Sequence, residues 1–263
     1  MSTLPAAAVF DLDGTLARSD HVISARTIAA LSRLPGKGIL PIIVTGRTLR
    51  SAQAVLAAAG VDGYIGACNG AVAFRTTDNA MIKHTELDPD RLAQIVEVSG
   101  GLGLQPVLYT LEGFVADRRT DLVAELEGCE GYPATIAPLD SVDPRTVVRV
   151  TIAGTTRQLA DAAPKLSALF PSFQLGMAHF AEVPEDDADK SSALAAILAD
   201  AGIDPADCIG FADAENDVSW LSLIGYPIAM GNAFPAVKAV AAAIIGVNDD
   251  DAVADYLEKL VET

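Results

Sequence analysis

Four short stretches of this sequence combine residue types and spacings that suit one chemistry. Asp11-Leu12-Asp13-Gly14-Thr15-Leu16 sets two carboxylates two residues apart, directly after an apolar run. Both reach one site only if the chain turns there, and Gly14 permits that turn. A plain Asp-Gly turn with two solvated carboxylates fits the same residues. Asp213-Ala214-Glu215-Asn216-Asp217 follows another apolar run. Asn216 and Asp217 lie three and four residues beyond Asp213, the spacing that brings side chains to one face of a helical turn. Oxygen donors converging this way suit a hard cation such as Mg2+. An acidic helix start favoured by the macrodipole is the alternative. Thr45-Gly46-Arg47 offers a hydroxyl and backbone N–H groups at a helix N-terminus, an anion seat or an ordinary Thr cap. Lys190 opens the Lys190-Ser191-Ser192 stretch at a helix start, where its charge opposes the dipole. Neutralising a phosphate would explain it, and a surface lysine is the simpler reading of that residue alone.

The elements around these stretches give them a common place. Short apolar runs at residues 7–10, 39–44, 64–68, 208–212, 226–230 and 242–247 have the length and continuity of strands buried on both faces of a parallel sheet. Between them, residues 24–34, 48–59, 190–201 and 251–261 carry helical patterns, with Ser24 as a cap and Gly60 and Gly202 as stops. Strand–helix alternation predicts an α/β fold with a Rossmann-like parallel sheet. Ligands bind such sheets at the carboxyl ends of the strands, and each of the four stretches follows or flanks one. Together they present a carboxylate nucleophile, a second carboxylate, a metal cluster, a hydroxyl and a lysine, a set suited to phosphoryl transfer through an aspartyl-phosphate.

The middle of the chain reads differently. Residues 87–98 are helical up to Gly100-Gly101-Leu102-Gly103. Residues 105–110 and 113–117 form a hairpin, residues 146–153 alternate as a strand, and residues 156–170 are helical apart from Pro164. Residues 173–177 and 179–183 suggest a second hairpin. The expected organisation is a discontinuous α/β core at 1–79 and 183–263, interrupted by an α+β domain at 80–182.

This order of motifs resembles the haloacid dehalogenase (HAD) superfamily, and within it the Cof-type, subclass IIB phosphatases with a large C2-type (C2B) cap. DLDGTL, VTGR, an inserted cap, DKSSAL, ADAEND and MGNA succeed one another as in that family. The resemblance implies a Mg2+-dependent phosphatase of small phosphomonoesters such as sugar phosphates. Asp11 would be the nucleophile and a metal ligand. Asp13 would be general acid and then base, with its backbone carbonyl on the metal. Asp213 would complete the ligands, with Asp217 behind them. Thr45, Gly46, Asn216 and Lys190 would hold the phosphoryl group. Arg47, Asn69 and Glu182 would be substrate contacts, Asn69 and Glu182 fitting a turn and an exposed strand end equally well. Gly231-Asn232 resembles a late turn of the family. Tyr109, His179 and the Arg118-Arg119 pair are weaker candidates for specificity, and His21 and His84 suggest no Ser-His-Asp triad. Ala212 and Ser191 stand where the family usually has glycine, a change expected to alter packing only. A sugar phosphomutase or a non-catalytic phosphometabolite-binding protein are the alternatives.

Composition narrows the field. The 263 residues carry 35 acidic against 18 basic side chains, a net charge of −17. That argues against nucleic acid and anionic membranes as partners. The hydrophobic share of 51% excludes a disordered chain. Three scattered cysteines with no Cys-x-x-Cys pair read as reduced thiols of a cytoplasmic protein. Residues 227–247, the most apolar stretch, contain Asn232, Pro235 and Lys238 and read as core with a turn. Nothing in the sequence specifies an oligomeric state.

Overall fold

A computed structural model describes residues 4–176, 179–185 and 188–262. In chain order its strands are β1 (Ala7–Phe10), β2 (Leu40–Val44), β3 (Tyr64–Ala67), β4 (Val72–Arg75), β5 (Ala80–His84), β6 (Gln105–Thr110), β7 (Gly113–Ala116), β8 (Thr135–Ile136), β9 (Val147–Ala153), β10 (Gln174–Leu175), β11 (Phe180–Glu182), β12 (Cys208–Ala212), β13 (Tyr226–Ala229) and β14 (Ala243–Ile244). Its helices are α1 (Ala25–Leu31), α2 (Leu49–Ala59), α3 (Pro89–Gly101), α4 (Asp121–Glu130), α5 (Thr156–Leu169), α6 (Lys190–Ala201), α7 (Val218–Leu221), α8 (Pro235–Val240) and α9 (Ala252–Glu262).

These elements form two units. The first comprises Met1–Gly46, Ala52–Lys83 and Asp189–Thr263. Its eight-stranded sheet has the order β14-β13-β12-β1-β2-β3-β4-β5, and the strands from β14 to β3 are parallel. All four residues of β1 are fully buried. Its neighbours are β2, the next strand in the chain, and β12, which the chain reaches only after the second unit. The connections leave β1 in opposite directions, so this is the topological switch point where an open α/β sheet forms its ligand crevice. Register places Phe10 beside Phe211, and their rings stack at 5.3 Å. Asp11 and Asp213 therefore emerge from the carboxyl ends of adjacent strands.

The second unit comprises Arg47–Ser51 and His84–Ala188. Its six-stranded sheet runs β10-β11-β9-β6-β7-β8. Leu92 and Ile95 of α3, and Leu159, Ala162 and Leu166 of α5, pack on Leu108, Val150 and Ile152 of the sheet. All seven residues of β9 are buried, so the strand is enclosed on both faces where the sequence suggests alternation. Arg47–Ser51 groups here because Thr48 and Ser51 bond to the buried Glu130 carboxylate at the end of α4. The divisions fall at 83/84 and 188/189, beyond the 79/80 and 182/183 read from the sequence. β5 is the last strand of the first sheet, which keeps residues 80–83 with that unit. Val183 belongs to the second unit's core and Glu185 pairs with its Arg91.

Three local expectations change. α3 runs through Gly100 and Gly101 and ends before Gly103, whose φ of 73° supplies the left-handed stop. α5 continues through Pro164, which sits on its exposed side, where water can take the carbonyl left without a partner. In the second predicted hairpin, β10 pairs with β11, and Met177 lies outside the described residues. Among the described residues no helix is long and apolar enough to cross a membrane.

Candidate active site

The site is built on the loops that follow β1, β2, β3 and β12 and on the start of α6, all within the first unit. Asp189 caps α6 by accepting from Ser192 N–H, which makes Lys190 the first helical residue. Its side chain turns inward and is only 3% exposed. Nζ donates to Asp11 Oδ1 and to Asp217 Oδ1, each at 2.6 Å. Asp217, fully buried, also accepts from the Trp220 indole N–H at 2.9 Å and, through Oδ2, from Ala214 N–H. Its oxygens are thus spent on orienting Lys190. Asp11 receives the Lys190 hydrogen bond on Oδ1.

Electrostatics follow from this burial. Desolvation, then the charge of Asp217, holds the Asp11 carboxyl well above the usual carboxylate range, against the pull of Lys190. Burial pushes Asp213 up to about 6, although the hydrogen bond from Thr15 Oγ1 at 2.9 Å works the other way. Burial also opposes the charge on Lys190, but Asp11 and Asp217 outweigh it and its pKa is raised. Carboxylate oxygens of Asp11, Asp213 and Asp217 lie within 4.8 Å of one another. The donor set is all oxygen and carries more negative charge than one lysine balances. It fits a hard divalent cation.

Four other sequence-predicted residues of the first unit lie together. Asn69 N–H donates to Thr45 C=O, and Asn69 Oδ1 accepts from Asn216 Nδ2 at 3.3 Å. A Cβ on Gly46 would lie 3.0 Å from that same Oδ1. Thr45, Gly46, Asn69 and Asn216 therefore form one polar wall. Gly70 seats this wall against α6: its φ is 94°, and a Cβ there would come within 1.8 Å of Asp189 C=O. Arg47 and Glu182 belong to the second unit, where Glu182 is paired with the buried Arg149 at 3.0 Å. Arg149 also lies 4.0 Å above the ring of Tyr109. His179 pairs with Glu125 in that unit, and Arg118 and Arg119 pair with Asp117 and Glu127.

Some residues emerge only from the structure. Thr15 restrains Asp213, and its place inside the first motif was the available signal. Trp220, the chain's single tryptophan, restrains Asp217. Asn232 Nδ2 donates to Gly14 C=O at 2.8 Å, and its Oδ1 accepts from Asn248 N–H. The Gly231-Asn232 turn thus braces the loop that carries Asp13. Gly14 is the tightest point of that loop, with φ 81° and space for a Cβ only 2.2 Å from Asp213 Oδ2. Gly14→Ala should cost about 2–4 kcal/mol of stability, from left-handed strain plus overlap. It should also lower kcat/KM about 100-fold by displacing Asp213. Chemical denaturation and steady-state rates would measure both.

A family model for haloacid dehalogenase-like hydrolases matches residues 8–257. The chain belongs to that family. It is accordingly an enzyme, a hydrolase whose relatives span nearly its whole length. It is 26% identical over 258 residues to an HMP-PP phosphatase of Serratia proteamaculans (strain 568), covering 95% of this chain and 93% of that protein. Its fold matches a haloacid dehalogenase-like hydrolase from Bacteroides thetaiotaomicron with a TM-score of 0.90, at 24% identity and over 97% and 98% of the two chains. It also matches a HAD subclass IIB sugar phosphatase with a TM-score of 0.79, at 21% identity and over 98% and 99%. HAD hydrolases generally use Mg2+, and the buried aspartate cluster suits such an ion.

Proposed function

We propose that this hydrolase is a Mg2+-dependent phosphatase of small phosphomonoesters, sugar phosphates or similar polar metabolites, working through an aspartyl-phosphate on Asp11. The observation that carries the reading is Asp11 itself. It stands at the sheet's switch point, buried beside Asp213 and Asp217, with Oδ1 held by Lys190. The names of the similar proteins, one a sugar phosphatase and one an HMP-PP phosphatase, support a small phosphorylated substrate.

Asp11 Oδ2 attacks phosphorus, and the bond to the leaving oxygen breaks as Asp13 delivers a proton to that oxygen. Water then attacks the same phosphorus, giving its proton to the Asp13 carboxylate, and the Asp11–phosphorus bond breaks to release phosphate. Thr45, Gly46 and Asn216 donate to the phosphoryl oxygens. Lys190 offsets charge shared between Asp11 and the phosphoryl group. Asp11, the Asp13 carbonyl and Asp213 would hold Mg2+, with Asp217 behind them. When bound, the ion lets a dianionic ester approach a carboxylate nucleophile. Arg47, Asn69 and Glu182 are proposed substrate contacts, and 80–182 is proposed as the cap.

The test is phosphate release from a panel of phosphorylated metabolites. Release should stop in EDTA, return with Mg2+, and be accompanied by phosphorylated Asp11 in acid-quenched enzyme. Isomerised hexose phosphate without released phosphate would point to a mutase, and tight binding without turnover to a sensor. Either outcome overturns the reading. Mg2+ affinity should also depend on pH. In the folded metal-free chain Asp213 stays protonated up to about pH 6, above the usual 3.8. Protons on Asp213 therefore compete with the ion below about pH 6 and progressively less as the pH rises. The rise in thermal midpoint on adding Mg2+ should be large at pH 7.5 and small at pH 5.

A further inference from the structure

The loop after β1 does more than carry Asp13. It leaves the site and folds back on itself at Arg18–Val22. Arg18 N–H donates to Val22 C=O at 3.0 Å, and His21 N–H donates to Arg18 C=O at 2.9 Å. The turn is anchored from outside by the Arg18 guanidinium on both oxygens of Asp251, at 3.1 and 2.7 Å. Ser19 N–H on Asp249 Oδ1 and Asn248 Nδ2 on Ala17 C=O add to the anchor. At the end of this turn His21 adopts φ 65°, a left-handed conformation that glycine takes freely and a side chain rarely does. The imidazole at this strained position returns to the site, and its Nδ1 lies 3.2 Å from Asp13 Oδ1.

We propose that His21 is a positioning residue for Asp13. Its imidazole pins one oxygen of that carboxyl group and so sets the orientation in which Asp13 meets the leaving oxygen. This rests on the reading of Asp13 as general acid. Two facts support it. Asp13 is about one-third exposed, unlike the enclosed Asp11, Asp213 and Asp217, so packing alone does not hold its side chain. And the anchored turn maintains a strained backbone at the residue that touches it. His21 donates no proton to substrate and touches no reacting atom. Its effect should therefore follow the leaving group's need for an acid.

Phenyl phosphate and 4-nitrophenyl phosphate are nearly equal in size. Phenolate leaves poorly without a proton, whereas 4-nitrophenolate leaves readily. The full chain with Mg2+ should be assayed on both esters, comparing kcat/KM, which reports the step in which the leaving oxygen departs. In His21→Gly the ratio of 4-nitrophenyl to phenyl activity should rise about 10-fold, a fraction of the 10²–10⁴ typical of a general acid. Gly suits the left-handed backbone, so the unfolding midpoint should stay within about 3 °C of the parent. His21→Asn also tolerates that backbone and places an amide near the position of Nδ1. It should return the ratio to within about 3-fold of the parent. Asp13→Asn should shift the ratio further than either. If Asp13→Asn shifts the ratio and His21→Gly does not, the positioning role is wrong and the acid role stands. An equal loss on both esters in His21→Gly makes the residue merely structural and also overturns the proposal. If Asp13→Asn leaves the ratio unchanged, the acid role falls and the role of His21 falls with it.

Discussion

Asp11→Asn should lower phosphate release by about four orders of magnitude or more, the scale seen when a nucleophile is deleted from a site that acts as a unit. The substitution is nearly isosteric, yet an amide cannot form the acyl phosphate, so no phosphorylated enzyme should appear after acid quench. The fold should survive. In the metal-free chain Asp11 sits above the usual carboxylate range because burial penalises its charge. Replacing it with a neutral group relieves that penalty, which offsets the lost bond to Lys190. The thermal midpoint in EDTA should therefore move little. The stabilisation brought by Mg2+ should shrink, because one of its proposed oxygen ligands is gone. Substantial turnover in this variant, measured with the parent's Mg2+ and substrate concentrations, would refute the aspartyl-phosphate mechanism.

Lys190→Met should damage stability and rate together. It removes a side-chain cation bonded to both Asp11 and Asp217 and leaves two enclosed carboxylates facing each other. Breaking a buried pair from one side costs about 3–5 kcal/mol. The loss should depend on pH with a definite sign. Carboxylates that are both charged repel, so the variant loses most at high pH. As pH falls, protonation of Asp11, already favoured by burial, replaces the missing cation, and the difference from the parent narrows. Denaturant unfolding at pH 7.5 and pH 5 would show this. The rate should fall about 10²–10³-fold or more, through loss of charge stabilisation at the phosphoryl group. Lys190→Met/Asp217→Asn separates the two effects. It should recover much of the stability and little of the activity. Recovery of both would mean that Lys190 serves only to neutralise Asp217.

The central parallel strands β1, β2, β3 and β12 are legible because they are enclosed on both faces and so read as unbroken apolar runs ending at polar turns. β1 and β12 were read with the bounds they have. α6 was equally clear, between its cap at Asp189 and Gly202 with φ 66°. α4 was missed despite Thr120 and Gly131 as start and stop signals. Its inward positions are Val123, Leu126 and Glu130, and a carboxylate at the third breaks the apolar stripe. The Thr48 N–H and hydroxyl and the Ser51 hydroxyl, far away in sequence, make that position tolerable. β4 and β5 were missed because they extend the sheet towards its edge, and β5 is only partly buried and carries no continuous apolar signal.

The site divides the same way. Carboxylates, hydroxyl and lysine at strand ends announce their chemistry locally, since motif residues are close neighbours in the chain and spacing alone implies a shared face. The contacts that set their state are long-range. Lys190 meets Asp11 across 179 positions, and Thr15 meets Asp213 across 198. His21 has no neighbour in sequence that singles it out, and its link to Asp13 exists because a distant acidic turn anchors the loop between them. Residue type and local spacing therefore carried the class of reaction, through covalent chemistry and local geometry that need no third dimension. Which oxygen is held, which carboxyl is pushed up and which histidine reaches Asp13 were decided by folding, because burial and electrostatic neighbours exist only once the strands are side by side.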